Sequence, residues 1–221
     1  MLDSFEFNLY LIRHGESEVN IQPDVMGQTA EINLTPNGRH QAHLLHEHMF
    51  YDENGKNKYA YDLCYSSPYV RALDTAMIVT GTNYITLVPE LREYDAGDWT
   101  HGSRSALVTD EVKMRMGYLN MAFQPPNGES QNMVERRASE WLEREILYNS
   151  EKHDLFRKYD RPLEILAFSH GMTIKGILHF IMGFDKSFLW KIEINNTSIT
   201  KLSFGKVGWR LHFINNCSHL Y

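Results

Sequence analysis

Cysteine is scarce in this chain: Cys64 and Cys217 are the only two among 221 residues. They show no metal-type spacing, and Cys64 falls in a predicted strand, so both are expected as buried free thiols. A basic excess is missing as well, because 22 Lys and Arg face 28 Asp and Glu for a net charge of −6. That balance argues against a nucleic-acid partner, which needs cations to neutralise phosphates, yet leaves room for a small positive pocket. No apolar stretch approaches the length of a membrane span. The first residues carry Asp3 and Glu6 rather than a basic segment leading into an apolar run, so no secretory signal and a reducing, cytoplasmic setting are the expectation. Internal repeats, low-complexity segments and composition breaks are also missing. One domain over residues 1–221 is therefore expected.

What is present is an ordinary globular composition, 43% hydrophobic and 23% charged, with a pattern that occurs twice. Residues 9–12 form a short apolar run that reads as a buried strand and ends in Arg13-His14-Gly15. Residues 163–169 repeat this, an apolar strand ending in His170-Gly171, with a helix after it. In a parallel sheet, both units would deliver a histidine to the carboxyl edge, where open α/β folds bind ligands.

Between them lie further alternating elements. Residues 21–33 read as a loop. Thr35 is a plausible N-cap and Pro36 a first helical residue, with Ala42, Leu45 and Met49 as the apolar stripe. His40, His43, His46 and His48 lie on this helix; His43 and His46 would share a face, but no carboxylate or cysteine has matching spacing, so a solvated face is preferred to a metal site. A polar linker over 52–59 precedes a strand over 61–66. A helix then runs from near Pro68 to Gly81 and holds Arg71 in its first turn. Residues 84–88 suggest a third strand, followed by a carboxylate-rich loop that includes Glu93. The Pro125-Pro126 turn leads into the clearest helix, over 131–148, with Val134, Ala138, Trp141 and Leu142 on one face. Residues 151–161 read as a charged connection and 191–214 as a terminal β-hairpin.

Strand ends would thus gather Arg13, His14, Arg71 and His170, with Glu93 on an adjacent loop. Two arginines and two histidines suit an anion with several oxygens, and a phosphoryl group fits best. One imidazole must be neutral to attack phosphorus while the cations stabilise the equatorial oxygens. A carboxyl group could protonate the leaving oxygen and then activate water. No metal or cofactor is required, since the arginines supply the charge.

Leu11-Ile12-Arg13-His14-Gly15-Glu16-Ser17 with Asn20 resembles the signature of the histidine phosphatase superfamily, also called the phosphoglycerate mutase-like family. The likeness recurs in order along the chain: Leu34-Thr35 with Gly38, Ser66-Ser67-Pro68 with Arg71, Leu91 and Glu93 with Gly97, Gly128-Glu129-Ser130, and Ser169-His170-Gly171. The resemblance implies a three-layer α/β/α sandwich, with a mostly parallel mixed sheet and helices on both faces. It implies His14 as the phosphorylated nucleophile and Glu93 as the proton donor. Arg13, Arg71 and His170 would form the rest of the phosphate pocket, aided by Asn20 and the Gly171 backbone, with Ser17 bordering the substrate.

The activity implied is hydrolysis of a small phosphorylated metabolite. A cofactor-dependent mutase ranks second, because mutases of this family carry an aromatic-glycine pattern after the acid and a longer insertion before the Pro-Pro turn. A catalytically idle phosphate-binding scaffold ranks third, since it would not require Glu93 beside His14 and His170. Thr100-His101 stands where relatives commonly have Glu-Gly, and Asp74 where glutamine is frequent. For His101 and Arg104 a surface role is preferred to a substrate contact. Neither the substrate nor the oligomeric state is specified by any motif.

Overall fold

The apolar runs become β1 (Phe7–Arg13), β2 (Leu63–Ser66), β3 (Thr86–Leu87), β4 (Leu163–Ser169), β5 (Ile199–Gly205) and β6 (Gly208–Asn216). The computed structural model describes residues 5–22, 24–27, 29–52, 54–56, 60–159 and 161–221. Residues 1–4, 23, 28, 53, 57–59 and 160 fall in the expected N-terminal segment, first loop, polar linker and charged connection, and lie outside the described residues. The strands form one sheet in the order β3-β2-β4-β1-β5-β6. The first four of these run parallel; β5 and β6 are antiparallel to their neighbours and form the expected hairpin. Parallel strands covered on both faces read as continuous apolar runs. β4, at the centre, has six of its seven residues buried.

The helices are α1 (Pro36–Phe50), α2 (Val70–Thr80), α3 (Arg104–Leu107), α4 (Asp110–Leu119), α5 (Gln131–Leu142), α6 (Ser150–Tyr159) and α7 (Gly171–Met182). Side chains alternate along each strand, so each sheet face builds its own core. Ile12, Leu166 and Phe168 pack with Leu45, Met49, Ala76 and Val79 of α1 and α2. Leu9, Leu11, Ile165 and Ala167 pack with Trp141, Leu142, Ile174 and Ile177 on the other face, beside α5 and α7. The result is the expected three-layer α/β/α arrangement.

Register decides where the two histidines go. Arg13 pairs with Ser169 across β1 and β4, so the next residue of each strand, His14 and His170, leaves the sheet at the same edge. The His14 N–H extends that ladder by donating to the Ser169 carbonyl at 3.0 Å.

Four local expectations need correction. The third strand is only Thr86–Leu87, both exposed at the sheet edge, where short strands limit unwanted pairing. The long helix is α-helical to Leu142 and continues as a π-helical turn, Glu143–Leu147, in which Ile146 and Leu147 are both buried. The charged connection is the helix α6: Leu155 and Phe156 pack on the core, and His153 stacks on Phe5 at 4.1 Å. Those contacts come from the opposite end of the chain, which no local window shows. Cys64 is buried as expected, but Cys217 is only partly so.

The start of α1 is fastened to the loop after β1. Thr35 accepts from the Gly38 N–H at 2.9 Å, and the Glu16 N–H donates to Gln41 Oε1 at 2.9 Å. A methyl group at Gly38 would lie 2.0 Å from the Glu16 carbonyl oxygen. Alanine normally gains about 1 kcal/mol over glycine inside a helix. Gly38→Ala should reverse that sign and lose about 1–3 kcal/mol by overpacking. Gly117→Ala in α4, where nothing lies within 4 Å, should gain about 0.5–1 kcal/mol. Urea unfolding of both variants provides the check, and a stabilised Gly38→Ala would refute the close backbone packing.

Candidate active site

His14 is completely buried. Its Nδ1 lies 2.7 Å from the Gly15 carbonyl. A carbonyl can only accept, so Nδ1 carries the proton and Nε2 the lone pair. Arg71 Nε donates to Nε2 at 3.3 Å. The loop is held from several sides: the Gly15 N–H donates to Thr75 Oγ1 at 3.0 Å, and the His14 carbonyl accepts from Asn196 Nδ2 at 3.0 Å and the Thr197 N–H at 3.2 Å. Burial, reinforced by the charges of Arg13 and Arg71, holds the His14 pKa well below the ordinary histidine value. The imidazole is neutral, with its basic nitrogen fixed in direction.

Arg71 sits in the first turn of α2, as its sequence position predicts, and is also completely buried. One terminal nitrogen donates to the Thr29 carbonyl at 2.8 Å, and the guanidinium lies 5.1 Å from the Tyr69 ring centre. Burial lowers its pKa to about 10, against the opposing influence of Glu93. Arg13, half-buried, donates through Nη1 to the Ile194 carbonyl at 2.6 Å.

His170 leaves β4 as the N-cap of α7, its ring centre 5.1 Å from that of His14. Its Nε2 lies 2.8 Å from Ser67 Oγ. Ser67 Oγ already accepts from the Tyr69 N–H at 3.2 Å. Its own proton is free for Nε2, an arrangement that leaves Nδ1–H of His170 as an unused donor. Burial and then the charge of Arg71 push the His170 pKa well down.

Three buried atoms at this edge have no hydrogen-bond partner: Arg13 Nε, Arg71 Nη2 and His170 Nδ1. Buried polar groups are nearly always satisfied. The first N–H groups of α7, beginning at Gly171, add donors and the positive end of a helix dipole. Such a cluster fits a tetrahedral oxyanion.

Glu93, half-buried, lies on the loop after β3 and takes the Tyr94 N–H at 2.8 Å. Ser169 Oγ donates to the Leu91 carbonyl and Thr173 Oγ1 to the Arg92 carbonyl, both at 2.7 Å. Arg137 reaches the carbonyls of Glu90, Arg92 and Glu93, and grips Glu129 with two bonds of 2.9 Å. Burial alone would raise the Glu129 carboxyl, but Arg137 and Arg92 more than offset it and hold it below the usual range.

Ser17 is buried, and both its N–H and its hydroxyl donate to Asn20 Oδ1 at 3.0 Å. Asn196 joins the same oxygen at 3.1 Å, so Ser17 orders the loop and the Asn20 amide nitrogen is the donor that remains. Asn196, Ser67, Thr75 and Arg137 were not singled out as site residues from sequence. Ser67 stands in the Ser66-Ser67-Pro68 segment quoted with Arg71, and Thr75 lies one helical turn beyond Arg71, which could have drawn attention to both; Asn196 and Arg137 had no local signal. Among the described residues, no group of three or more His, Cys, Asp or Glu is placed to hold a metal ion. Of the α1 histidines, His40, His43 and His48 are exposed, while His46 Nδ1 bonds the Val79 carbonyl at 2.8 Å. His101 and Arg104 are exposed. Among the described residues, no helix is long and apolar enough to cross a membrane.

Comparison with known proteins agrees with this fold. A family profile described as the histidine phosphatase superfamily (branch 1) matches residues 9–217. The adenosylcobalamin/alpha-ribazole phosphatase of Escherichia coli is 28% identical over 191 residues, 85% of each chain. A 2,3-bisphosphoglycerate-dependent phosphoglycerate mutase of Nautilia profundicola is 25% identical over 209 residues, 84% of this chain and 89% of that one. A phosphoserine phosphatase of Entamoeba histolytica, solved in complex with 3-phosphoglyceric acid, superimposes with a TM-score of 0.75 at 27% identity, covering 97% of this chain and 100% of that one.

The two neutral histidines set a pH dependence. In the unfolded chain they titrate near pH 6.5, whereas in the folded site both are depressed. Below about pH 6.5 the unfolded state therefore binds protons that the native state refuses, and stability falls as pH falls. Each histidine contributes up to about 1.4 kcal/mol per pH unit. His170→Asn should remove one such contribution and flatten the slope between about pH 6.5 and 5, which urea titrations at several pH values would read directly.

Proposed function

This chain belongs to branch 1 of the histidine phosphatase superfamily, and from that premise we propose that it is a phosphoric monoester hydrolase that works through a phosphohistidine on His14. The observation that carries the reading is the convergence of a neutral, oriented His14 Nε2 with three unpartnered donors on Arg13, Arg71 and His170. A phosphomonoester dianion placed against those donors would present its phosphorus to Nε2. The lone pair of Nε2 attacks, the ester P–O bond breaks, and its electron pair leaves on the alcohol oxygen. Glu93 supplies the proton that makes this oxygen a neutral alcohol. The Nδ1–H bond to Gly15 stabilises the positive charge that develops on the imidazole. In the second half, the Glu93 carboxylate takes a proton from water, the hydroxide attacks phosphorus, and the P–N bond breaks to restore His14 and release phosphate.

The substrate-binding set is Arg13, Ser17, Asn20, Arg71, His170 and Gly171, with Ser17 acting through the loop it orders. The arginines supply the positive charge, so hydrolysis should survive a chelator. The two unpaired cysteines support a reducing, cytoplasmic setting. Hydrolysis is favoured over phosphoryl isomerisation because Glu93 leads into Tyr94-Asp95-Ala96-Gly97 and the segment to Pro125 is short. Rapid conversion of 3-phosphoglycerate to its isomer with catalytic 2,3-bisphosphoglycerate, without free phosphate, would reverse that preference.

A labelled phosphomonoester and rapid quenching should trap an acid-labile, base-stable phosphoenzyme. The trapped label should vanish in His14→Ala, and its persistence there would sink the nucleophile assignment. Glu93→Gln should lower kcat for alkyl phosphates by about 10²–10⁴-fold. Its effect on the first step with p-nitrophenyl phosphate should be smaller, because that leaving group needs little protonation. Equal losses on both substrates in stopped-flow measurements would contradict the proton-donor role.

A further inference from the structure

A second cavity, of about 170 Å³, lies beside the acid loop, walled by Tyr94, Trp99, Met116, Phe123, Met172 and Trp190. Tyr94 and Met172 directly follow Glu93 and Gly171 in the chain, so two walls of this cavity continue from two edges of the phosphate site. The cavity therefore lies close to Glu93, the proposed proton donor, and to the start of α7. A wider cleft of about 390 Å³ adjoins it and shares Met116, Asn120 and Trp190.

Its lining is apolar and aromatic, with the Trp99 and Phe123 ring centres 5.6 Å apart. Arg104, exposed, is the only charged residue that lines it among those described. An ionised amino-acid or hydroxy-acid group buried here would lose its hydration with little to replace it. Benzene fits a cavity of about 150 Å³, so the volume suits one ring.

Two residues that carry an unpartnered polar atom interrupt the apolar lining. Gln131 is 2% exposed, and its Nε2 donates to the Met172 carbonyl at 2.8 Å. That bond fixes the amide, so Oε1 is the atom left free, and it is buried without a partner. Asn120 Oδ1 is likewise buried and unpartnered, on a residue held at φ 49°. Both line this cavity. Lone acceptors in a dry wall are costly until a ligand donates to them.

We propose that this cavity receives the leaving group, and that the substrate class is a phosphomonoester of an alcohol bearing a single uncharged aromatic ring with an O–H or N–H donor. The proposal rests on the phosphatase reading above and names the substrate of that same site.

Benzyl phosphates test it cleanly, because the acidity of the leaving alcohol hardly varies across them. kcat/KM for 4-(hydroxymethyl)benzyl phosphate should exceed that for its near-isostere 4-ethylbenzyl phosphate by about 5- to 100-fold, the span for leaving one buried acceptor unpaired. Both benzyl esters should exceed O-phosphoserine and 3-phosphoglycerate by at least about tenfold, the scale of one well-filled apolar pocket. Gln131→Met should lower the hydroxymethyl preference, leaving at most the share that Asn120 supplies. Met116→Ala, on a partly exposed wall, should lower the ratio of benzyl to phosphoserine turnover. If His14 is phosphorylated by all four esters with no ring or donor preference, the cavity assignment is wrong and the phosphatase reading stands. If none of them phosphorylates the enzyme, the phosphatase reading fails and this assignment fails with it.

Discussion

Two guanidinium groups drawn in at the carboxyl edge of the sheet constrain everything around them. Arg71 is completely buried and Arg13 half-buried, and among the described residues both meet carbonyl oxygens, of Thr29 and Ile194, rather than carboxylates. Removing such a charge from water costs several kcal/mol when it is incompletely compensated. The compensation here is partial by construction, since a nitrogen of each arginine stays unpaired. Burial, reinforced by the same positive field, keeps His14 and His170 neutral. Neutrality is what a nucleophilic imidazole requires at physiological pH. A dianion arriving at this edge would complete the electrostatics that the protein leaves open.

The acid must stand near those cations without being captured by them. Glu93 feels Arg13 and Arg71 through space, yet its loop is fixed from behind by Ser169, Thr173 and Arg137. Arg137 in turn is neutralised by Glu129, which also bonds Arg92 and the Asp95 N–H. A charge pair on the far side of the loop thus helps set the position of Glu93, the proposed proton donor. The next residue, Tyr94, lines the neighbouring apolar cavity.

Much of this was legible in advance, for identifiable reasons. The continuous apolar runs and the repeated strand-His-Gly unit are contained in short stretches of sequence, so β1, β4 and their histidines could be read directly. The caps of α1 and the Gly81 stop of α2 are local chemistry. The α6 helix was missed because its apolar residues pack on Phe5, distant in the chain. Asn196 and Arg137 were missed because each acts on a backbone carbonyl that its own neighbourhood does not reveal.

The sequence by itself determined which chemistry is available: two histidines, two arginines and a carboxyl group, carried on strand ends and loops by local propensity. It also determined that the sheet would be mixed, through parallel units followed by a hairpin. Only the tertiary structure decided the Arg13–Ser169 register, which sets the histidine rings 5.1 Å apart. It alone decided which nitrogen of His14 is basic, through the Gly15 carbonyl. It alone left Gln131 Oε1 buried without a partner, on a residue that lines an apolar cavity. Register, tautomer and unpaired acceptors are properties of atoms brought together from distant parts of the chain, and no short stretch of residues contains them.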